Sequence, residues 1–431
     1  MKSLKEKIKN KQFKVVVIGA GYVGLPLACE FAFAKFKTVC LDVDREKVDK
    51  INKGRSYIKD VLSADLKRVV ENKMLKGSTN FSFIKKADAV VICVPTPLSK
   101  TRDPDISYII DAVEQITKNI KAGQIIVLES TTYPGTTEEV VLPMLESSKL
   151  KVGKDFYLAF SPERVDPGNE TYQTKNIPKI MGGITKQCTE MAKSLYQEII
   201  DIVIPVSNAR TAEMVKIWEN TFRAVNIGLA NEMAMICDKM GVDVWEVIEG
   251  AKTKPFGFLP FYPGPGLGGH CLPVDPLYLS WKAKLLDTNI RFIDLADEIN
   301  NEMPSYVVAK VNDVLNEHKK CINKARILIM GVAYKRDIED VRESPAFTII
   351  ERLMDKGAIV SFYDPYVPKL KLKNGKELKT VLLTQLAKYD CCLIVTDHTC
   401  FDFKKIVKES KLVLDTRNAT KGMKSKKIVK L

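Results

Sequence analysis

The stretch "KVVVIGAGYVG", residues 14 to 24, decides the fold of the first part of the chain. A short β-branched run ends in glycines and leads into "LPLACEFAFAKF", whose apolar residues fit a buried helix. Gly19 permits a tight turn, Gly21 lets the backbone approach a pyrophosphate, and Gly24 allows the helix to pack closely on the strand. The motif therefore predicts a dinucleotide site at the N-terminus of this helix.

The following strand, "KTVCLDVD", supports the same site. Asp42 ends it 23 positions after Gly19 (42 − 19), where a carboxylate can accept hydrogen bonds from an adenosine ribose. Because a carboxylate repels a 2′-phosphate, NAD is favoured over NADP, although Arg45 and Lys47 lie close enough to weaken this argument. We expect the cofactor site to include the three glycines together with Tyr22, Val23, Asp42 and Lys47.

Composition bounds the class of protein. At 431 residues and 45% hydrophobic content, the chain predicts a folded protein of two or three domains. Ten cysteines without a C-x-x-C pair or a metal-like cluster indicate reduced thiols in a cytoplasm and a reaction without a metal. No signal-like segment or bilayer-spanning run is present in the sequence. The net charge of +14 comes from scattered lysines, which favours a solvated basic surface over a nucleic-acid or membrane partner.

Two further strands complete the pattern of the first domain. "ADAVVICVPTP" and "QIIVLESTTYPG" are continuous apolar runs with a helical segment between them, which indicates a parallel sheet covered on both faces. Ligands of such sheets bind at the carboxyl ends of the strands. Val94, Thr96, Ser130 and Thr131 are therefore expected on the nicotinamide side of the site. Hydroxyls that only cap helices are the alternative.

The same order of elements recurs near the C-terminus. "RILIMGVAYK", "AIVSFYDP", "YDCCLIVTDHT" and "KLVLDTRN" read as strands, and "SPAFTIIERLMDKG" as a helix. The predicted fold class is α/β, with two doubly wound, Rossmann-like parallel-sheet domains joined by a central helical domain. The expected boundaries are 1–205, 206–303 and 304–431. The central segment from Asn208 predicts one long helix, or two joined near Gly241, which could carry a dimer seam or simply pack on the sheets.

Charged residues in the middle of the chain are candidates for catalysis. Glu163 lies between two prolines in "FSPERVDPG", a rigid turn that could hold it near a reacting group, although surface turns carry such charges as often. Lys216 and Asn220 are four apart on one helix face and could hold a developing oxyanion. A solvated lysine is the alternative for Lys216.

The stretch "GPGLGGHCLPVDP", residues 264 to 276, places Cys271 among glycines and prolines. A reactive thiol needs an open, shaped loop, and Asp275 follows it by four residues. His270 is a weaker candidate for a base, because consecutive residues of an extended loop point in different directions. In "GVAYKRDIEDVRESP", residues 331 to 345, Lys335 and Arg342 stand where side chains would bind phosphate in place of glycines.

In this order, these motifs resemble the nucleotide-sugar 6-dehydrogenases, the family of UDP-glucose and UDP-N-acetylhexosamine dehydrogenases. The resemblance runs from about residue 13 to about residue 420. It implies oxidation of the C6 alcohol of a UDP-sugar to a carboxylate with two NAD per turnover. It also implies an N-terminal NAD domain, a C-terminal UDP domain, a homodimer or higher homo-oligomer formed by central helices, and a place in surface polysaccharide precursor synthesis.

The resemblance also implies roles for individual residues. The catalytic set is Cys271, Lys216, Asn220, Asp275, Glu163 and Thr131. Cys271 matches the nucleophile, the next three match a polar catalytic cluster, and the last two match residues for base or water positioning. A thiolate that adds to the intermediate aldehyde makes a thiohemiacetal, which can be oxidised to a thioester that water cleaves. The implied substrate contacts are Glu163, Arg164, Lys216, Asn220, Gly268, Gly269, Tyr334 and Lys335, with Arg342 near the cofactor and the subunit boundary.

The identity of the sugar depends on weaker features. His270 replaces the small residue that precedes the cysteine in UDP-glucose enzymes, and "CVPTPLSKTRDPDISY" is more similar to the UDP-N-acetylglucosamine branch. UDP-N-acetylmannosamine, UDP-N-acetylgalactosamine and UDP-glucose are the alternatives. Competing classes are a single-step hydroxyacid dehydrogenase, which would lack the cysteine loop and the second nucleotide domain, and a non-catalytic nucleotide-sugar sensor.

Overall fold

A computed structural model describes residues 2–58, 60–165, 171–269 and 271–431. The chain forms two compact units. The N-terminal unit comprises Met1–Glu219 and Trp281–Asp287, and the C-terminal unit comprises Asn220–Ser280 and Thr288–Leu431. The domain boundaries expected after residues 205 and 303 stay predictions. Within the described ranges, no helix combines the length and the apolar character needed to cross a membrane.

The N-terminal unit contains an eight-stranded sheet. Its strands are β1 (Lys14–Ile18), β2 (Lys37–Leu41), β3 (Leu75–Ser78), β4 (Ala89–Ile92), β5 (Gln124–Leu128), β6 (Phe156–Phe160), β7 (Lys179–Gly183) and β8 (Val203–Pro205). They lie in the order β3-β2-β1-β4-β5-β6-β7-β8, which begins as the predicted doubly wound arrangement. Neighbours are parallel except β6 and β7, which pair antiparallel. This departs from the all-parallel sheet that the sequence suggested.

Helices cover both faces of this sheet. They are α1 (Lys2–Lys9), α2 (Gly24–Phe33), α3 (Arg45–Asn52), α4 (Ser63–Glu71), α5 (Ser107–Asn119), α6 (Leu142–Glu146) and α7 (Lys186–Tyr196). Apolar residues of α2, α4 and α7 form a core on one face, and those of α5 and α6 form another on the opposite face. The strands are buried on both sides, which explains their continuous apolar sequences.

Four helices make up the middle of the chain. They are α8 (Ala209–Met240), α9 (Val244–Lys252), α10 (Asp275–Lys284) and α11 (Arg291–Glu317). The predicted helical segment is thus two helices, α8 and α9, separated at Gly241, whose φ of +66° ends the longer one. This is one of the two arrangements that the sequence left open.

The C-terminal unit contains a five-stranded parallel sheet. Its strands are β9 (Arg326–Met330), β10 (Ile359–Tyr363), β13 (Cys391–Ile394), β14 (Val413–Asp415) and β15 (Ile428–Lys430), while β11 (Lys369–Lys371) and β12 (Glu377–Lys379) form a separate hairpin. The sheet order is β10-β9-β13-β14-β15, the second common doubly wound order. Residues of α11 and α12 (Pro345–Asp355) cover one face, and those of α13 (Phe403–Glu409) cover the other.

Candidate active site

The turn between β1 and α2 has the geometry that its three glycines predict. A Cβ atom on Gly19, whose φ is +99°, would lie 2.3 Å from the carbonyl oxygen of Cys93. A Cβ atom on Gly24 would lie 1.8 Å from the carbonyl oxygen of Gly19. At Gly21, by contrast, no atom of the described residues beyond its own chain neighbours lies within 4 Å of such a Cβ atom. The open side of Gly21 is where a pyrophosphate can approach the backbone, so the cradle fits NAD.

Asp42 lies at the end of β2 and supports the same turn. Its carboxylate accepts hydrogen bonds from the backbone N–H groups of Ala20 at 2.8 Å and Asp44 at 2.9 Å. The ammonium group of Lys47 lies 3.7 Å from one carboxylate oxygen. The carboxylate is therefore held beside the first turn, in the position expected of a group that receives an adenosine ribose. Tyr22 is exposed beside this turn, and Val23 is partly exposed.

The hydroxyl residues after β4 and β5 lie at one edge of the sheet, because these strands are parallel neighbours. Ser130 donates its hydroxyl hydrogen bond to the carbonyl oxygen of Val94 at 2.7 Å. That contact links the ends of the two strands. It favours a structural role for the Ser130 hydroxyl, which was the alternative to a contact with the cofactor. Thr96 and Thr131 are partly exposed at the same edge.

Glu163 belongs to a buried charged cluster that the sequence did not reveal. Lys179, at the start of β7, donates hydrogen bonds from its ammonium group to Glu129 at 2.9 Å and to Glu163 at 3.0 Å. The Lys179 side chain is 3% exposed. Tyr196 donates its phenolic hydrogen bond to the second oxygen of Glu129. The available sequence signal was a lysine at the head of an otherwise apolar strand, "KIMGG".

Burial and ion pairing shift the pKa values of the two acids of this cluster, Glu129 and Glu163, in opposite directions. Burial raises the pKa of Glu129, and the nearby Lys179 offsets only part of that rise. Burial alone would also raise the pKa of Glu163, but Lys179 and two backbone N–H donors lower it below its ordinary value. Burial alone would lower the pKa of Lys179, but the carboxylates of Glu129 and Glu163 raise it above its ordinary value. Glu163 and Lys179 therefore form an ion pair.

Arg164, next in the chain, has its own partners. It forms an ion pair with Glu219 at 2.7 Å and donates to the carbonyl oxygen of Pro178 at 2.6 Å. Glu219 lies on α8, so this pair ties the turn to the long helix. Residues 166–170 and His270 lie outside the described residues. The role predicted for His270 therefore stays a prediction.

Asn220, Cys271 and Asp275 lie together in the C-terminal unit. The Asn220 amide donates a hydrogen bond to the Asp275 carboxylate, and both side chains are buried. The backbone N–H of Asp275 donates to the carbonyl oxygen of Cys271 at 2.8 Å, at the start of α10. Lys216 lies one turn before Asn220 on α8 and is partly exposed. The structure thus brings together an amide and a carboxylate that are 55 positions apart on the chain (275 − 220), with Cys271 one turn before the carboxylate.

Two buried asparagines anchor the beginning of the cysteine loop. The Asn231 amide oxygen accepts a hydrogen bond from the backbone N–H of Gly264 at 2.9 Å. Its nitrogen donates to Asn300 at 2.8 Å, and the Asn300 amide donates to the carbonyl oxygen of Ala224 at 3.1 Å. These amides connect the loop to α8 and α11. No sequence pattern singled them out, because their partners are distant in the chain.

The glycines before Cys271 pack against the segment after β9. A Cβ atom on Gly268 would lie 2.6 Å from the Cβ of Tyr334, and one on Gly269 would lie 2.9 Å from the Tyr334 ring. The backbone N–H of Gly269 donates to the carbonyl oxygen of Arg342 at 3.0 Å. The structure therefore brings together the predicted substrate residues Gly268, Gly269 and Tyr334. The Arg342 guanidinium forms an ion pair with Asp340 at 2.6 Å.

Family models match three consecutive parts of the chain. They are the NAD binding domain of the UDP-glucose/GDP-mannose dehydrogenase family over residues 13–200, its central domain over 210–302 and its UDP binding domain over 328–422. The chain belongs to the UDP-glucose/GDP-mannose dehydrogenase family. It is an NAD-dependent UDP-sugar dehydrogenase with an α/β fold. This confirms the predicted family, fold class, enzyme class and cofactor.

Individual relatives cover nearly the whole chain of this family member. It is 38% identical to the UDP-N-acetyl-D-mannosamine dehydrogenase of Methanococcus maripaludis, over 94% of this chain and 92% of the relative. It is 35% identical to the UDP-N-acetyl-D-glucosamine 6-dehydrogenase of Pseudomonas aeruginosa, over 91% and 92%. The solved UDP-D-ManNAc dehydrogenase of Pyrococcus horikoshii superposes with a TM-score of 0.89 at 35% identity, over 97% and 98%.

Proposed function

We propose that the chain oxidises the C6 alcohol of a UDP-N-acetylhexosamine twice, to the uronic acid, while Cys271 carries the sugar covalently between the two oxidations. The observation that supports this most directly is that Cys271, at the end of a glycine-rich loop, is joined by a backbone hydrogen bond to Asp275, whose carboxylate accepts the Asn220 amide. A single-step dehydrogenase needs no nucleophile. A thiol close in the chain to a carboxylate and an amide suits addition to an aldehyde.

NAD supplies the hydride acceptor for each oxidation when it is bound. Its proposed contacts are Gly19, Gly21, Tyr22, Val23, Gly24, Asp42, Lys47, Val94, Thr96, Ser130 and Arg342. Cys271 adds its sulfur to the aldehyde carbon to form a thiohemiacetal, and the second oxidation turns this adduct into a thioester. Lys216 and the Asn220 amide stabilise the oxygen anion by charge and by N–H donation.

Protons and water are handled by the acids and by Thr131. Asp275 takes protons or orients the hydrolytic water. Glu163 and Thr131 act on the water that cleaves the thioester. The substrate contacts that we propose are Glu163, Arg164, Lys216, Asn220, Gly268, Gly269, Tyr334 and Lys335. The loop packing of Gly268 and Gly269 on Tyr334 supports the assignment of these three residues to one site.

The relatives favour UDP-N-acetylmannosamine as the sugar nucleotide, because that name is carried by the Methanococcus relative and by the Pyrococcus structure. UDP-N-acetylglucosamine, the first choice from the sequence, is the second candidate and is supported by the Pseudomonas relative. The product would serve as a precursor of a surface polysaccharide. We place the reaction in the cytoplasm, which suits cysteines that form no disulfide among the described residues.

We also propose a homodimer formed through α8. This helix exposes a stripe of large apolar side chains at helical spacing: Met214, Trp218, Phe222, Leu229, Met233, Ile236 and Met240. Trp218 is 65% exposed and Met240 is 69% exposed, so a second copy of the helix would remove a long apolar surface from water. Light scattering on the purified protein should give twice the mass of 48.4 kDa, and a monomer would contradict the dimer.

A panel of UDP-sugars tests the proposed substrate. UDP-N-acetylmannosamine, UDP-N-acetylglucosamine, UDP-N-acetylgalactosamine and UDP-glucose are each incubated with NAD, and the absorbance of NADH and the sugar acid are measured. We expect the highest kcat/KM with UDP-N-acetylmannosamine. A higher value with UDP-N-acetylglucosamine would reverse the choice of sugar, and oxidation of none of the four would reject the proposed function.

A further inference from the structure

Glu163 is held by donors on both of its carboxylate oxygens. One oxygen accepts the backbone N–H groups of Arg164 and Val165, each at 2.7 Å. The other accepts the ammonium group of Lys179 at 3.0 Å. All three donors stabilise the ionised form, and together they fix the orientation of the carboxylate. A side chain held in this way is suited to accept a hydrogen bond and is poorly suited to gain and lose a proton.

The groups around Lys179 and Glu163 explain why the charge stays on Glu163. Glu129 shares Lys179 but is completely buried, so burial raises the pKa of Glu129 and favours its protonation. Tyr196 and Cys93 also face the cluster, and burial raises the pKa of both, so they are neutral. Within the part of the chain that the structure describes, the ammonium group of Lys179 is the cation that forms an ion pair with the Glu163 carboxylate.

We propose that Lys179 is a positioning residue, which fixes Glu163 as an ionised acceptor that orients the hydrolytic water, with Glu129 behind it as the second partner of the ammonium group. This inference rests on the proposed twofold oxidation and on the place of Glu163 in its last step. Glu163 accordingly orients the hydrolytic water and does not remove a proton from it. Lys179 itself acts through Glu163 and touches neither sugar nor cofactor in this scheme.

In the last step, the water oxygen bonds to the thioester carbon and the C–S bond breaks. The sulfur of Cys271 leaves with the bonding electron pair, and the sugar becomes a carboxylate. One water hydrogen is released as a proton and the other returns to the sulfur, so no further oxidant or reductant is needed. Glu163 accepts a hydrogen bond from the water as it attacks and remains ionised, while Asp275 receives the released proton.

Replacement of Lys179 should impair hydrolysis more than the oxidations. In Lys179→Met, the pKa of Glu163 should rise by about one to three units, because an opposite charge in hydrogen-bond contact is lost. The low-pH limb in the pH profile of kcat should move to higher pH by a similar amount. The maximum value of kcat should fall at least about tenfold. Because the oxidations precede the lost step, intact-protein mass spectrometry should show the acyl form of Cys271 accumulating. Lys179→Arg should restore most of kcat and the wild-type limb.

Replacement of Glu129 should leave the pH profile in place. Burial already favours the neutral form of Glu129, so Glu129→Gln keeps a neutral partner beside Lys179, and the pKa of Glu163 and the low-pH limb should stay at their wild-type positions. Lys179→Gln, which removes the charge but keeps a hydrogen-bond donor, keeps the test decisive if Lys179→Met fails to fold. Lys11→Met, which removes the partly exposed ion pair with Glu198 in the same unit, is the matched control and should leave kcat and its pH profile unchanged.

A titration without substrate separates this inference from the proposed function. The pKa of Glu163 is measured by NMR on protein labelled with carboxyl-¹³C glutamate, with Glu163→Gln identifying the signal. We expect an upward shift of the Glu163 pKa in Lys179→Met and an unchanged pKa in Glu129→Gln. An unshifted Glu163 signal in Lys179→Met would overturn the role of Lys179 whatever the substrate. Normal titrations in a protein that oxidises no UDP-sugar would reject the proposed function instead.

Discussion

The first turns of the two sheets are built alike and then diverge. Gly19 follows β1 with a φ of +99°, and Gly331 follows β9 with a φ of +77°. A Cβ atom on Gly19 would lie 2.3 Å from the carbonyl oxygen of Cys93, and one on Gly331 would lie 2.4 Å from that of Thr396. Both glycines let the chain turn sharply against the end of a neighbouring strand.

An aspartate at the end of the second strand completes each turn. The Asp42 carboxylate accepts the N–H of Ala20 at 2.8 Å, and the Asp364 carboxylate accepts the N–H of Val332 at 2.7 Å. In the C-terminal unit, His398 adds a contact of 3.0 Å to Asp364. The two units therefore share a turn in which an aspartate accepts a backbone N–H group. This turn does not by itself distinguish their ligands.

The two turns differ in the length of chain between the glycine and the next helix. Helix α2 begins five residues after Gly19 (24 − 19), whereas α12 begins fourteen residues after Gly331 (345 − 331). The short turn presents backbone N–H groups and a helix N-terminus to a pyrophosphate. The long segment instead carries Tyr334 and Lys335, and we propose that these side chains bind the phosphates of the UDP-sugar. On this proposal, the two units bind their nucleotides in different ways.

The glycine turn that the two units share predicts the largest effect, a loss of folding stability. Gly19→Ala and Gly331→Ala each place a methyl group against a carbonyl oxygen in a left-handed backbone conformation. We expect each to lower the free energy of unfolding by about 3 kcal/mol or more. Urea unfolding of both variants measures this, with Gly21→Ala as the sterically open control. A stable Gly331→Ala protein would show that the two turns are not equivalent.

Buried acids give the two units opposite dependences of stability on pH. Burial raises the pKa of Glu213, on α8, to about 7, whereas His398 and backbone N–H donors lower the pKa of Asp364 despite its burial. A raised pKa means stability that is present below the unfolded value of 4.5 and lost as the pH rises to about 7.

Glu213→Gln should remove this dependence. The wild-type protein should lose about 3 kcal/mol of unfolding free energy between pH 4.5 and 7.5 that the variant keeps. Chemical denaturation of both proteins at these pH values measures the difference. Parallel pH curves for the two proteins would mean that Glu213 is ionised across the whole range. Glu213 accepts the backbone N–H groups of Gly135 at 2.6 Å and Thr137 at 2.9 Å, so the variant keeps an acceptor there.

The segments that follow the two glycine turns differ, and this difference predicts separate losses of affinity for NAD and for the UDP-sugar. Gly21→Ala should weaken NAD binding by about tenfold to a hundredfold and leave UDP-sugar binding unchanged, because its methyl group enters the open side of the cradle. Lys335→Ala should weaken UDP-sugar binding to a similar extent and leave NAD binding unchanged. Calorimetric titration of each variant with each ligand measures both. A loss of NAD affinity in Lys335→Ala would contradict the division of labour.

A smaller effect is expected at His398. The backbone N–H of Asp337 donates to the His398 ring at 2.9 Å, which holds the segment that carries Lys335. His398→Ala removes this contact, worth about 1 kcal/mol, so KM for the UDP-sugar should rise about fivefold. KM for NAD is the internal control. A rise in both constants would indicate general loosening of the fold.

Local patterns in the sequence predicted the parts of the fold that depend on neighbouring residues. The glycine turn, Asp42 and the division near Gly241 follow from residues a few positions apart, and each appears in the structure as expected. The strands β11, β12 and β15 escaped notice, because they are three residues long and rich in lysine. Such strands carry no apolar periodicity.

Contacts between distant residues were beyond the sequence patterns. Glu129 and Lys179 are 50 positions apart, and Glu213 is 78 positions from Gly135. Each pairing depends on how distant elements pack in three dimensions, which local sequence patterns do not specify. The cysteine loop was recognised from its own composition, but its anchor Asn231 was not, because an asparagine inside a helix resembles any solvated polar residue.

The ratio of NADH to sugar acid tests the central claim most directly. Wild-type protein with a limiting amount of the oxidised UDP-sugar should release two NADH per acid formed, because the aldehyde stays bound to Cys271 until the second oxidation. Cys271→Ala should still bind NAD and the UDP-sugar but form no acid. One NADH per substrate with a free aldehyde, or acid formation by Cys271→Ala at near wild-type rate, would contradict the covalent mechanism.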